Sequence, residues 1–327
     1  MSRGRRDADM EINTPIAEDI RATDQNAQYD AACRRLLSDR TILAWIMKSC
    51  LEEYRDCDIK EIAEKYIEGT PEVHEVPVMP DETNATKIRG ASNVDASQTE
   101  GTVIYDIRFL AIAPSNGELI RLIINVEGQG KFYVGYPLLM RAIYYCCRMI
   151  SAQHGTEFVH EEYQNIKKVY SVFICMNPPK NRQNSITRYQ LTEENLVGKV
   201  KEPVRHYDLM TVVMVCLGGA DGENYDGILK LLDVLLSPKA GEAEKRQVLQ
   251  EEFDIPMTET LEAEVHQMCN LSQGVLELGR AEGRAEGLLA SIRALMASMG
   301  WSAEQAMEAL KLPEIDRPKY ADLLQKQ

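Results

Sequence analysis

Two apolar runs separated by a turn constrain this chain more than any other feature. TVIYDIRFLAIA (102–113) and LIRLIINVE (119–127) are rich in Val, Ile, Tyr and Phe, residues that suit a pleated, half-buried surface. Pro114-Ser115-Asn116-Gly117 between them is a turn signal, so the two runs are expected to form an antiparallel hairpin. Each run also carries an acid, Asp106 in the first and Glu127 in the second.

The flanking sequence extends this hairpin into a layered α/β core. Tyr29, Cys33, Leu36 and Leu37 fall at helical spacing, and Ile42, Leu43, Ile46 and Met47 repeat the pattern after a cap residue, Asp39. Residues 27–68 therefore read as helical. Residues 69–100 are rich in prolines and polar residues and read mostly as loop. After the hairpin, YPLLMRAIYYCCRMISAQ lies in a long helix over 132–153, ended by Gly155. A strand at 168–176 stops at Asn177-Pro178-Pro179, and further strands fall at 185–191 and 209–217. Beyond Gly218-Gly219 the chain turns to helical patterns over 224–325, dominated by Leu, Met, Ala, Glu and Lys. The expected organisation is a disordered lead-in at 1–26, an α/β domain at 27–219 and an all-α region at 220–327.

The acids point to a site. Alternation places Asn125, Glu127 and Gln129 on one face of their strand. Pairing of the hairpin brings Asp106 towards Glu127. Two ionised carboxylates at close range repel unless a cation lies between them. A hard divalent ion with oxygen ligands, Mg²⁺ or Mn²⁺, meets that need and supports phosphate chemistry. Gln129 stands where it could orient water or phosphate, and Gly128 leaves its carbonyl open as a further ligand. On spacing alone, exposed acids on the solvent side of an antiparallel sheet fit better, because an Asp followed at a distance by Glu-x-Gln is a weak pattern.

Charge and cysteine usage narrow the class. A net charge of −14 argues against a surface generally adapted to nucleic acid. Basic residues nevertheless concentrate between Lys167 and Arg205. The eight cysteines show no C-x-x-C pair, and the five histidines show no zinc spacing, which suits reduced thiols in a cytoplasmic protein. No apolar run approaches the ~20 residues of a membrane span, and the charged N-terminus does not read as a signal peptide.

YDIRF, IINVEGQG, YPLLMRAIYY and KVYSVFICMNPP, in that order, resemble the PD-(D/E)XK nuclease family of transposase-like proteins, the recombination-promoting nucleases. The likeness runs from about Tyr29 to Leu217. It continues into LGRAEGRAEG, which resembles the glycine-punctuated repeats of these proteins. The resemblance implies a restriction-endonuclease-like core, a mixed sheet flanked by helices, and metal-dependent cleavage of DNA. Asp106 matches the motif's Asp and Glu127 its second acid, both as Mg²⁺ ligands, and Gly128 is the residue between whose carbonyl touches metal. Gln129 occupies the motif's Lys position, a departure that removes a cation able to stabilise the reacting phosphate. Asp30 matches an acid on the family's first helix, where it supports the metal site or serves the helix dipole. Arg141, Lys167 and Lys168 are candidate DNA-backbone contacts or, equally, surface ion-pair partners.

In the tail, Gly279, Gly283 and Gly287 are four residues apart and would form a smooth helical stripe. Residues 274–290 are therefore expected to mediate homo-oligomerisation. Ser302 with Gln305 marks a capping box. Two other readings remain: an inactive nuclease-fold scaffold that assembles through its tail, and a helical assembly factor of the flagellar type. The strand-rich segment 102–217 weighs against the second.

Overall fold

A computed structural model describes residues 27–73, 94–97, 101–104, 106–115, 118–130, 132–314 and 316–325. The expected lead-in, 1–26, lies outside them. The described residues divide into two compact units, one running from Tyr29 to Cys269 and the other from Asn270 onward.

The first unit begins with helices α1 (27–37) and α2 (Arg40–Cys50). Asp39 caps α2 by accepting from the N–H groups of Thr41 and Ile42 at 2.9 and 3.1 Å, which satisfies donors the helix leaves open. The apolar sets expected from the spacing, including Cys33, Leu36, Ile42 and Met47, are buried. A short helical turn α3 (Ile59–Glu61), capped by Asp58, runs into a π-helical turn Ile62–Tyr66.

Strand β1 (Ile67–Val73) follows, where the sequence pattern predicted the end of a helix and then loop. The reason is local. β1 is an edge strand whose pairing with β4 shifts register between Glu68 and Glu72. That irregularity removes the alternation that would reveal it and admits Pro71. Strands β2 (Val94–Ser97) and β3 (Gly101–Ile104) pair antiparallel in a separate two-stranded sheet. The apolar run 102–113 is therefore two strands, broken before Asp106, which lies in a bend rather than in mid-strand.

Strands β4 (Ile107–Ser115) and β5 (Glu118–Gln129) form the expected antiparallel hairpin. Helix α4 (Leu138–Ser151) carries the chain across to β6 (Val169–Cys175), which runs parallel to β5. Strands β7 (Ser185–Gln190) and β8 (Met210–Cys216) complete a six-stranded mixed sheet in the order β1-β4-β5-β6-β8-β7. β6 is buried at every residue, as a strand covered on both faces should be. On one face Ala142, Cys146 and Met149 of α4 pack in a core cluster with Phe173 and Met214. On the other, Leu37 of α1 approaches β5: a Cβ added at Gly128 would stand 3.5 Å from its Cδ1.

Helices α5 (Gly227–Leu236) and α6 (Glu242–Gln247) also belong to this unit. The change of composition near residue 220 predicted a domain boundary there, but the compact unit closes after Cys269. Packing accounts for the difference. Tyr29 of α1 donates to the carbonyl of Leu236 at 2.5 Å, and the rings of Trp45 and Phe253 meet edge to face at 5.1 Å. The segment is all-helical, yet it completes the core begun by α1 and α2.

Helix α7 (Glu259–Met299) leads from the first unit into the second, which adds α8 (Ala303–Ala309) and α9 (Arg317–Gln325). The capping box of Ser302 and Gln305 forms as the spacing predicts. Ile292, Ala306, Met307, Leu312 and Tyr320 make a small core of their own. The whole is a mixed α/β fold with a helical C-terminal region. Among the described residues no helix is long and apolar enough to cross a membrane.

Candidate functional site

β4 and β5 place the two acids together. Ile107 pairs with Val126, so the residue before Ile107 falls opposite the residue after Val126. The backbone N–H of Asp106 donates to Oε1 of Glu127 at 3.0 Å. The N–H of Gly128 donates to Oδ2 of Asp106 at 3.1 Å. The side chain of each acid thus accepts from backbone of the other's strand. This reciprocal arrangement works because Asp106 is out of the strand ladder, which frees its N–H.

The surroundings are enclosed and partly cationic. Glu127 is 3 % exposed. Burial raises its pKa well above the ordinary carboxylate value, and the neighbouring Asp106 charge raises it further. The Asp106 N–H, Arg141 and Asn125 oppose that shift without cancelling it. Burial likewise raises the pKa of Asp106, against the pull of Arg34, the Gly128 N–H and Arg141. Arg34 Nη1 lies 3.4 Å from Asp106 Oδ1. Asn125, buried on the Glu127 face of β5, donates to Ser171 Oγ at 3.4 Å.

Gln129 is half-buried at the end of β5. Its Nε2 donates to the carbonyl of Gly128 at 3.2 Å, which engages the oxygen expected to serve as a ligand. Asp30 of α1 stands beside the next residue along, its Oδ1 3.8 Å from where a Cβ on Gly130 would be. Arg141 projects from α4. It donates from Nη1 to the Tyr136 hydroxyl at 3.1 Å and covers the Phe173 ring at 5.2 Å.

Lys167 and Lys168 lie elsewhere. They precede β6, whereas Glu127 pairs with Phe173 near the far end of that strand. At ~3.3 Å per residue the separation is about 17 Å. Lys168 bonds Glu53 at 3.1 Å and Asp208 at 2.5 Å, and Lys167 is ion-paired with Glu157. Both are ion-paired cations at the opposite end of the strands from the acid pair.

The sequence pattern does not single out Arg34. It follows Asp30 by one helical turn, so the helix that presents the one presents the other. Only the packing of α1 against β5 turns that spacing into a charge partner for Asp106.

The donor set can be compared with a hard divalent ion. Asp106 and Glu127 offer carboxylate oxygens and Gly128 a carbonyl. Among the described residues no group of three or more His, Cys, Asp or Glu stands positioned to hold a metal. Mg²⁺ is commonly held by one or two carboxylates plus waters and substrate phosphates, so an all-oxygen pair of this kind fits. No known protein family model matches the chain, and neither does any curated protein or solved structure.

Proposed function

We propose that this chain is a metal-dependent DNA endonuclease, hydrolysing phosphodiesters in mobile-element or recombination processes, with the restriction-endonuclease-like class as its fold. The reciprocally bonded pair of Asp106 and Glu127 carries the reading. It stands where β5 ends, and ligands in open α/β sheets bind beyond the carboxyl ends of parallel strands. Asp106, Glu127 and the Gly128 carbonyl would hold Mg²⁺ or Mn²⁺. When bound, the ion lowers the pKa of water and neutralises charge on a phosphate. The chain's own part is to fix the two carboxylates through backbone N–H groups, to shield Glu127 from bulk water and to set Arg141 towards an incoming phosphate. Gln129 orients water or phosphate by hydrogen bonding, and Asp30 supports the site from α1. The protein acts as a cytoplasmic homo-oligomer assembled through residues 274–290.

Plasmid cleavage by the purified protein with Mg²⁺, Mn²⁺ or EDTA tests the proposal, beside Asp106→Ala and Asp106→Asn. Metal-dependent nicking absent from both folded variants is expected. A folded wild type that cuts under no metal would overturn it. That outcome would favour a nuclease-fold scaffold, for which Arg34 is the supporting observation. Its ion pair with Asp106 offsets part of the acidic charge without a metal.

A further inference from the structure

No Asp or Glu occurs between Glu127 and Glu157, and none between Glu162 and Glu193, in a chain with 51 acids. These two acid-free stretches leave the carboxyl ends of β5 and β6, and they are tied together there. The N–H of Met176 donates to the Gln129 carbonyl at 3.0 Å, and Asn177 Nδ2 donates to the Gly130 carbonyl at 3.0 Å. The two segments that form the rim beside the acid pair therefore add no carboxylate of their own, although Asp30 of α1 stands beside Gly130.

Aromatic rings stand exposed along this rim. Tyr133 is 76 % exposed and Tyr136 49 %. Phe132 meets Tyr133 edge to face at 5.3 Å, and Arg182 lies over the Phe132 ring at 5.6 Å. Tyr136 accepts from Arg141 at 3.1 Å, the same arginine that acts on Glu127. Met140 and Tyr144, one turn apart on α4, are exposed as well. Packing of the fold does not use these faces. Contiguous exposed apolar surface of this kind marks a binding site.

We propose that this rim is a base-stacking platform for single-stranded DNA, which it feeds to the acid pair. The proposal deepens the endonuclease reading and rests on it for the chemistry. Rings interleaved with arginines on segments without carboxylates match a chain of π-faces joined by phosphates. A duplex keeps its base faces stacked on one another, so exposed tyrosines gain contact only with unpaired bases. An acidic or apolar protein surface would use the arginines or the rings, but not their alternation.

Fluorescence anisotropy in EDTA, with labelled oligothymidylate and a labelled duplex of equal length, tests the platform apart from catalysis. Wild type is expected to bind the single strand about tenfold or more tightly than the duplex. Tyr133→Ala combined with Tyr136→Ala should weaken strand binding at least about tenfold, while Tyr133→Phe with Tyr136→Phe retains it. Equal affinity for strand and duplex, or tyrosine-to-alanine variants that bind unchanged, would overturn the platform. The same proteins are then assayed for cleavage with Mn²⁺. Strand binding without cleavage sinks the endonuclease reading alone. Duplex cleavage indifferent to the tyrosines sinks the platform alone.

Discussion

Arg34 on the first helix lies 3.4 Å from Asp106 at the start of the central hairpin, with their side chains 12 % and 19 % exposed. This ion pair links an N-terminal helix to the sheet across 72 residues of sequence. It also decides how the acid pair behaves without metal, because Arg34 is the cation in direct contact with Asp106.

Removing that cation should expose the cost of the pair. Arg34→Ala leaves Asp106 and Glu127 with Arg141 alone and is expected to destabilise the metal-free protein by about 3 kcal/mol. Mn²⁺ should restore part of the loss if the two carboxylates bind it. Urea denaturation with and without MnCl₂ measures both effects. An equal loss in both conditions would argue that the ion does not bind there.

The acid pair should also impose a pH dependence of known sign. Burial raises the pKa of Glu127 in the folded protein above its ordinary value of 4.5. The folded state then holds the proton more tightly than the unfolded chain. Stability should therefore fall as pH rises above that value, and level off once the folded group ionises. Glu127→Gln cannot ionise, so its stability relative to wild type should be pH-independent near pH ~4 and increase above it, by at most about 1.4 kcal/mol per pH unit. Thermal melts of both proteins across the acid to neutral range check this. A difference that stays flat would contradict the buried, raised carboxylate.

Lys168 gives a prediction of the opposite kind. Its ammonium joins Glu53 and Asp208, and Glu53 also accepts from the Tyr170 hydroxyl at 2.7 Å. Lys168→Met leaves two acids facing each other and should cost about 3 kcal/mol of stability. DNA affinity of the folded fraction should not change. A selective loss of DNA binding with stability intact would instead assign this lysine as a DNA contact.

The glycines of α7 can be tested directly. A Cβ added at Gly283 or Gly287 would meet nothing within 4 Å. Alanine at both should stabilise the helix by about 1 to 2 kcal/mol through propensity alone. If the stripe mediates self-association, leucine at both should reduce the assembled mass seen by light scattering. Leucine variants with unchanged mass would exclude these glycines from the contact.

Periodicity in the sequence determined the local elements: the hairpin, α4, β6, β8, and the caps at Asp39 and Ser302. Each depends on residues a few positions apart, where spacing maps directly onto one face of a helix or strand. The juxtaposition of Asp106 with Glu127 was legible for the same reason, since a hairpin brings near neighbours in sequence together. The sequence did not reveal β1, whose bulge erases alternation, nor the break before Asp106, where one apolar run serves two sheets. Tertiary structure alone decided which charges meet. Lys168 is drawn to Glu53 and Asp208, Arg34 to Asp106, and α5 and α6 into the first unit rather than the helical tail. Such pairings follow from long-range packing, in which hydrophobic burial sets the positions of helices and charged side chains take the partners left within reach.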